Sequence, residues 1–254
     1  LAINLALYGE RRAWVFTEAP ASAGSLAPDT LSVAGNTWHQ TPDGIVLQIC
    51  DRSVPWGRPV VGRIVLRGLH VFAQSARPLG MGGKHGWWPR MPVARIEVDM
   101  AAPALRWQGH AYHDLNWGDE PLADGFAHWW WMRVTRGGVT DIVYAATART
   151  QQHGVPLSEI QLSLRLAADG TVAERPLPAL SPLSPSAWGL GGDAAWLGPK
   201  VRLLEDTPFY RRCTWQVPQQ AGGGVALHET LDLTRWRRGW VQRLLPFRLR
   251  RRDR

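Results

Sequence analysis

Cysteine is nearly absent: Cys50 and Cys213 are the only two, far apart and outside any Cys-x-x-Cys pair. That spacing implies neither a disulfide framework nor a thiolate zinc site, and points to two free thiols in a reducing compartment. Long apolar runs are lacking too. No segment approaches the roughly twenty residues that a helix needs to cross a bilayer, and residues 1–8 are too short and carry no basic leader. The chain is therefore expected to be soluble or peripheral. Because position 1 is Leu, the native start is expected to be missing, and a targeting segment with it. No Gly-x-Gly-x-x-Gly or Walker sequence offers a nucleotide cofactor a seat. No zinc-finger, RNP or basic-zipper pattern accompanies the basic balance, so no nucleic-acid partner is expected.

The charge is one-sided only at one end. The formal net charge is +8, and between residues 235 and 254 nine arginines (235, 237, 238, 243, 248, 250, 251, 252 and 254) face Asp253 alone, which accounts for the whole excess. The rest is balanced, 45% of the chain is hydrophobic, and 254 residues suffice for one large core or two smaller ones. Tryptophan is abundant, with 15 residues. Each brings a large apolar face and one N–H that needs a partner when buried, so some of these rings are expected to line a cavity rather than merely fill a core.

Period-two alternation dominates the chain. Residues 94–100 and 160–166 alternate apolar and polar side chains, as half-buried strands do. Further strands are expected at 45–49, 60–72, 105–114, 129–135, 139–146, 201–204, 210–217 and 225–233. Turn residues separate most of them, at Asp43-Gly44, Gly137-Gly138, Asp169-Gly170 and Gly222 to Gly224. The fold class is all-β, as barrels or sandwiches with little helix. Two β units, 1–120 and 121–254, suit this length better than one giant barrel. The Pro- and Ser-rich stretches 19–28 and 176–185 read as surface loops. Helix is expected only after Thr234, where Trp236, Trp240 and Leu244 recur four apart until Pro246 ends the segment.

Chemistry-bearing residues concentrate in two places. On a strand through residues 105–114, His110, Tyr112 and Asp114 share one face and His113 takes the other. Upstream, His85 and Trp87 form a second two-apart pair. No metal is expected: His110 and His113 would point to opposite faces, and His228-Glu229 lacks the second His of a His-Glu-x-x-His helix.

These segments, with residues 4–9, 202–210 and 240–248, resemble the carotenoid 1,2-hydratases, also called hydroxyneurosporene synthases, over nearly the whole chain. The family pairs a His-x-Trp with a Tyr-x-Asp after 24 intervening residues, and here those positions hold His85, Trp87, Tyr112 and Asp114. The resemblance implies two lipocalin-like β units and addition of water to the terminal C1–C2 double bond of acyclic carotenoids such as lycopene or neurosporene. It implies no cofactor, and a bacterial cytoplasmic protein at the inner, photosynthetic membrane.

The chemistry is consistent with those residue types. Hydrating a trisubstituted alkene needs a positioned acid that protonates the less substituted carbon, after which water captures the tertiary cation. A carboxyl kept protonated by apolar surroundings is such an acid, and Asp114 is assigned the role. Trp87 and Tyr112 could face the cation with aromatic rings, worth about 0.5–2 kcal/mol each. His85 could orient the water, accept its proton or hold Asp114 in place, and the sequence leaves these open. A bland reading also stands: Asp114 capping the turn into Leu115-Asn116, with the other three as ordinary core residues. A lipocalin-like carrier of an apolar ligand or a terpenoid cyclase would use much the same scaffold. The arginine-rich tail, with Trp236, Trp240, Leu244, Leu245 and Phe247 among its arginines, is expected to touch an anionic membrane.

Overall fold

The protein is described here by a computed structural model covering residues 1–73, 76–79, 83–149, 159–244 and 249–250. In chain order the strands are β1 Ala2–Leu7, β2 Ala13–Glu18, β3 Gly24–Ala27, β4 Thr30–Val33, β5 Asn36–Thr41, β6 Gly44–Arg52, β7 Pro59–Gly68, β8 Arg77–Leu79, β9 His85–Ala102 and β10 Leu105–Gly118. The one-turn helix α1, Leu122–Gly125, leads into β11 Phe126–Arg136, β12 Val139–Ala148, β13 Glu159–Ala167, β14 Val172–Glu174, β15 Leu180–Pro182, β16 Asp193–Ala195, β17 Arg202–Asp206, β18 Tyr210–Gln216 and β19 Val225–Asp232. Two short helices follow, α2 Leu233–Trp236 and α3 Gly239–Leu244, and then β20 Leu249–Arg250. Strand makes up 61% of the described residues, which settles the all-β class.

Two compact units are present, and neither is one continuous stretch. The first contains residues 1–69, 94–112 and 243–254; the second contains 70–93 and 113–242. Strands β9 and β10 each pass from one unit into the other.

In the first unit, antiparallel pairing runs β10-β9-β7-β6-β5-β4-β3, with β9 contributing its residues from Ala94 onward to β7. The alternating side chains of β6, β7 and β9 place Ile49, Val60, Ile64, Val98 and Met100 in one buried cluster with Val15 of β2. A buried polar knot accompanies it: the carboxylate of Asp51 accepts hydrogen bonds from Thr17 Oγ1 and Asn36 Nδ2, both at 2.7 Å. Such burial is tolerated because the carboxylate is multiply bonded.

In the second unit, a seven-stranded antiparallel sheet runs β14-β13-β12-β11-β19-β18-β17. It is open at both ends, so the barrel-or-sandwich expectation resolves to open, sandwich-like sheets. Gly137 and Gly138, both with positive φ (54° and 78°), make the two-residue turn that joins β11 to β12. One face of this sheet presents Met132, Val134, Val143, Cys213, Trp215 and Ala226, all buried against Leu183, Ala194 and Ala195 at the β15–β16 hairpin. Each fully buried aliphatic side chain there contributes roughly 1.5–3 kcal/mol. The other face carries Trp129, Trp131, Tyr144, Leu162 and Glu229, a set fixed by the register Trp131↔Tyr144↔Leu162 and Trp131↔Glu229.

The helix expected after Thr234 is broken into α2 and α3. Asp232 caps α2 by accepting from the Arg235 amide, and Gly239, a poor interior helix former, opens α3. Residues 245–248, including Pro246, lie outside the described residues.

Candidate active site

Three of the four site residues suggested by the sequence lie in the second unit: His85 and Trp87 at the start of β9, and Asp114 on β10. Trp87 is fully buried, and its indole N–H donates to Asp114 Oδ2 at 2.7 Å. A lone indole N–H at such depth must find an acceptor, and here it finds the carboxyl. The bond fixes the carboxyl's orientation. Trp87 thus holds Asp114 in place.

His85 has a slot of its own. Its ring lies 5.0 Å from that of Phe126, and two glycines close on it: a Cβ on Gly118 would sit 2.4 Å from Nδ1, and one on Gly125 would sit 2.7 Å from Nε2. The backbone approaches the imidazole on two sides where no other residue would fit. Its Nε2 lies 3.6 Å from Glu120 Oε1, too far for a hydrogen bond. Lys84 Nζ binds the other oxygen of Glu120 at 2.7 Å, and this hydrogen bond holds the Glu120 carboxyl below its ordinary range. Glu120 is therefore anionic where it faces His85.

Tyr112 stands two residues before Asp114 on β10, half-buried, as the last residue of the first unit in that strand. Sequence reasoning missed Tyr144 and Trp129. The buried Tyr144 ring lies 5.4 Å from Trp87, and Trp129 stacks on it at 5.9 Å with planes 22° apart. Burial, with a smaller contribution from the Asp114 charge, raises the Tyr144 phenol above its ordinary value, so it stays a neutral donor. Trp129 and Tyr144 lie on strands expected at 129–135 and 139–146, with no local signal that marks either as part of a site. His113, on the opposite side of β10 from Asp114, is held neutral: burial and then Arg90 lower it to about 4, and its Nδ1 is buried without a hydrogen bond.

A cavity of about 420 Å³ opens on the other face of the same sheet, walled by Trp130, Gln161, Thr230, Asp232 and Arg235 among others. It is not where the carboxyl and imidazole are. Among the described residues no three His, Cys, Asp or Glu side chains converge so as to hold a metal ion.

Comparison with known proteins gives these geometries a context. A solved structure described as AttH from Nitrosomonas europaea superposes with a TM-score of 0.56 at 12% identity, covering 87% of this chain and 76% of the other, a likeness of fold alone. An acyclic carotenoid 1,2-hydratase from Thiocapsa roseopersicina is 37% identical over 98% of this chain and 61% of its own length. One from Rubrivivax gelatinosus is 31% identical over 99% of this chain and 62% of its own. The chain thus spans about three fifths of the length of these two relatives. The family model for the carotenoid hydratase CrtC matches residues 1–254, and the chain belongs to that family.

Proposed function

We propose that this chain hydrates the terminal C1–C2 double bond of acyclic carotenoids such as lycopene or neurosporene, giving tertiary 1-hydroxy carotenoids. The observation that carries the reading is the buried Trp87 N–H bonded to Asp114 Oδ2 beside an aromatic wall, in a chain of the hydratase family. Asp114 delivers its proton to C2, and the alkene's π electrons form the new C–H bond, leaving a cation at C1. The ring faces of Tyr144 and Trp129 stabilise the cation as it forms. Water adds to C1, and His85, beside Glu120, takes the excess proton and returns it through solvent to Asp114. Atoms and charge balance with water alone, and no oxidation state changes.

The substrate dissolves in lipid, which favours a peripheral enzyme working at the bacterial inner membrane. Among the described residues no helix is long and apolar enough to cross a membrane.

Incubation with lycopene in heavy water, followed by chromatography and mass analysis, tests the reading. The expected product carries one hydroxyl and one carbon-bound deuterium per hydrated end, and Asp114→Asn yields none while still binding the carotenoid. Bound but unchanged lycopene would make the protein a carrier, and a cyclised isomer would make it a cyclase. Normal turnover by Asp114→Asn would remove that residue from the mechanism.

A further inference from the structure

The β15–β16 connection and the helices after β19 build one surface of the second unit that neither the core nor the candidate site uses. Trp188, on the connection, is 48% exposed, and Trp240, on α3, is 45% exposed. Their rings stack at 6.3 Å with planes 29° apart. This pair is held in place rather than loosely displayed. Arg235 of α2 donates to the carbonyl oxygens of Trp188 at 2.6 Å and Gly189 at 3.4 Å, and it pairs with Asp232 at 3.2 Å. Trp236 anchors α2 edge-on against Phe209 at 4.7 Å. Two large apolar rings are thus fixed side by side in water, an arrangement that a folded chain rarely keeps without a use.

The helices beside them are basic, and their acidic partners come from elsewhere: Asp232 and Asp124 pair with Arg235 and Arg237, and Asp206 accepts from Ser186 Oγ at 2.6 Å beside Trp188. Residues 233–244 contain Arg235, Arg237, Arg238 and Arg243 and no acidic residue. Arg235 is engaged as above, and Arg237 pairs with Asp124 at 2.7 Å in an exposed contact that salt weakens. Arg238 is exposed and makes no ion pair among the described residues. Indoles prefer the headgroup level of a bilayer, where the ring is shielded and the N–H stays wet, and guanidinium groups bind phosphate in forked geometry. We infer that the Trp188–Trp240 ledge, with Arg238 beside it, docks the protein onto an anionic phospholipid surface. The inference deepens the proposed function, since a lipid-dissolved substrate gives such docking its purpose, but its test does not need the reaction.

The full chain is floated without carotenoid on vesicles of phosphatidylcholine, alone or with phosphatidylglycerol. The wild type is expected to prefer the anionic vesicles and to lose that preference as salt rises. Trp188→Ala with Trp240→Ala should weaken binding to both by about tenfold or more. Arg238→Glu should weaken binding to the anionic vesicles only. On carotenoid dispersed in detergent the tryptophan variant should turn over at the wild-type rate, and on carotenoid within vesicles it should be slow. Wild-type flotation by the tryptophan variant overturns the inference. So does gel filtration in which those substitutions split a dimer while flotation is unchanged, because the ledge then joins two copies of the chain. Flotation as expected with no hydration would leave the docking surface standing and sink the hydratase reading.

Discussion

The hydrogen bond from Trp87 to Asp114 makes the most demanding prediction. Trp87→Phe keeps an aromatic ring at the same place but removes the N–H that reaches Oδ2 at 2.7 Å. Hydrogen bonds to an ionisable partner contribute about 1.5–3 kcal/mol. If the whole of it is spent on holding the carboxyl toward the alkene, the loss in kcat is about 10- to 150-fold. Because Trp87 is fully buried, the smaller ring also leaves a void, and a stability loss of roughly 1–3 kcal/mol is expected alongside. The rate is therefore measured well below the variant's melting midpoint, as initial formation of hydroxylated product from detergent-dispersed lycopene. The split between constants is diagnostic: a residue that orients the acid lowers kcat with KM little changed, whereas one that only contacts the polyene raises KM. A Trp87→Phe enzyme with wild-type kcat would refute the claim that Trp87 positions the acid.

Gly118→Ala should cost most of the activity with little change in melting temperature, because its Cβ would meet His85 Nδ1 at 2.4 Å while the position itself is at the surface; paired rate and melting measurements check it. Acid should destabilise the second unit through His228, which is fully buried and lowered to about 4 by desolvation. Below its unfolded value near 6.5 the unfolded chain takes up a proton that the folded one refuses. About 3 kcal/mol is then present above pH 6.5 and lost as the pH falls toward 4. Urea midpoints across that range should fall less in His228→Gln, with the remaining slope owed partly to His113.

Much of this fold is visible in the sequence wherever strands alternate cleanly. The stretches 94–100 and 160–166 appear as parts of β9 and β13, and 225–233 appears as β19 up to Asp232, with Leu233 opening α2 instead. The first forty residues are harder to read: β1 to β5 are only four to six residues long, too short for alternation to stand out, and β3 falls inside the stretch 19–28 expected to be a loop. The first half of β9 is hidden for another reason. Residues 85–93 contain Trp87-Trp88 and two prolines and are buried on nearly every position, so no alternation remains to detect. In the site, the family spacing and not local pattern nominates Trp87 and Asp114, and the hydrogen bond between them is visible only in the structure. Tyr144 lies thirty positions beyond Asp114 and reaches Trp87 through the fold of the second unit, a long-range relation that local periodicity does not carry. The hold of Glu120 on His85 likewise depends on where the chain turns after β10, not on any motif.

The run His128-Trp129-Trp130-Trp131 shows why so many tryptophans are compatible with one sheet. On a strand they must alternate, and the register sends Trp129 and Trp131 to the side of Tyr144, while Trp130 stacks on the buried His228 at 5.7 Å. One aromatic run therefore serves the proposed cation-binding wall and the core beneath the β15–β16 hairpin at once. A slip by one residue would exchange the two sides. The phase is set at the start of β11, where an irregularity between Phe126 and His128 leaves Ala127 without a partner. Phe126 thereby pairs with Ala148, on the Tyr144 side, and reaches the His85 ring; in a regular ladder with Ala127 paired it would lie on the side of His128 and Trp130. Bulges re-aim side chains in this way beside active sites. In this chain a single unpaired alanine lets Phe126 pack on the imidazole while the tryptophans that follow it keep both faces of the sheet supplied.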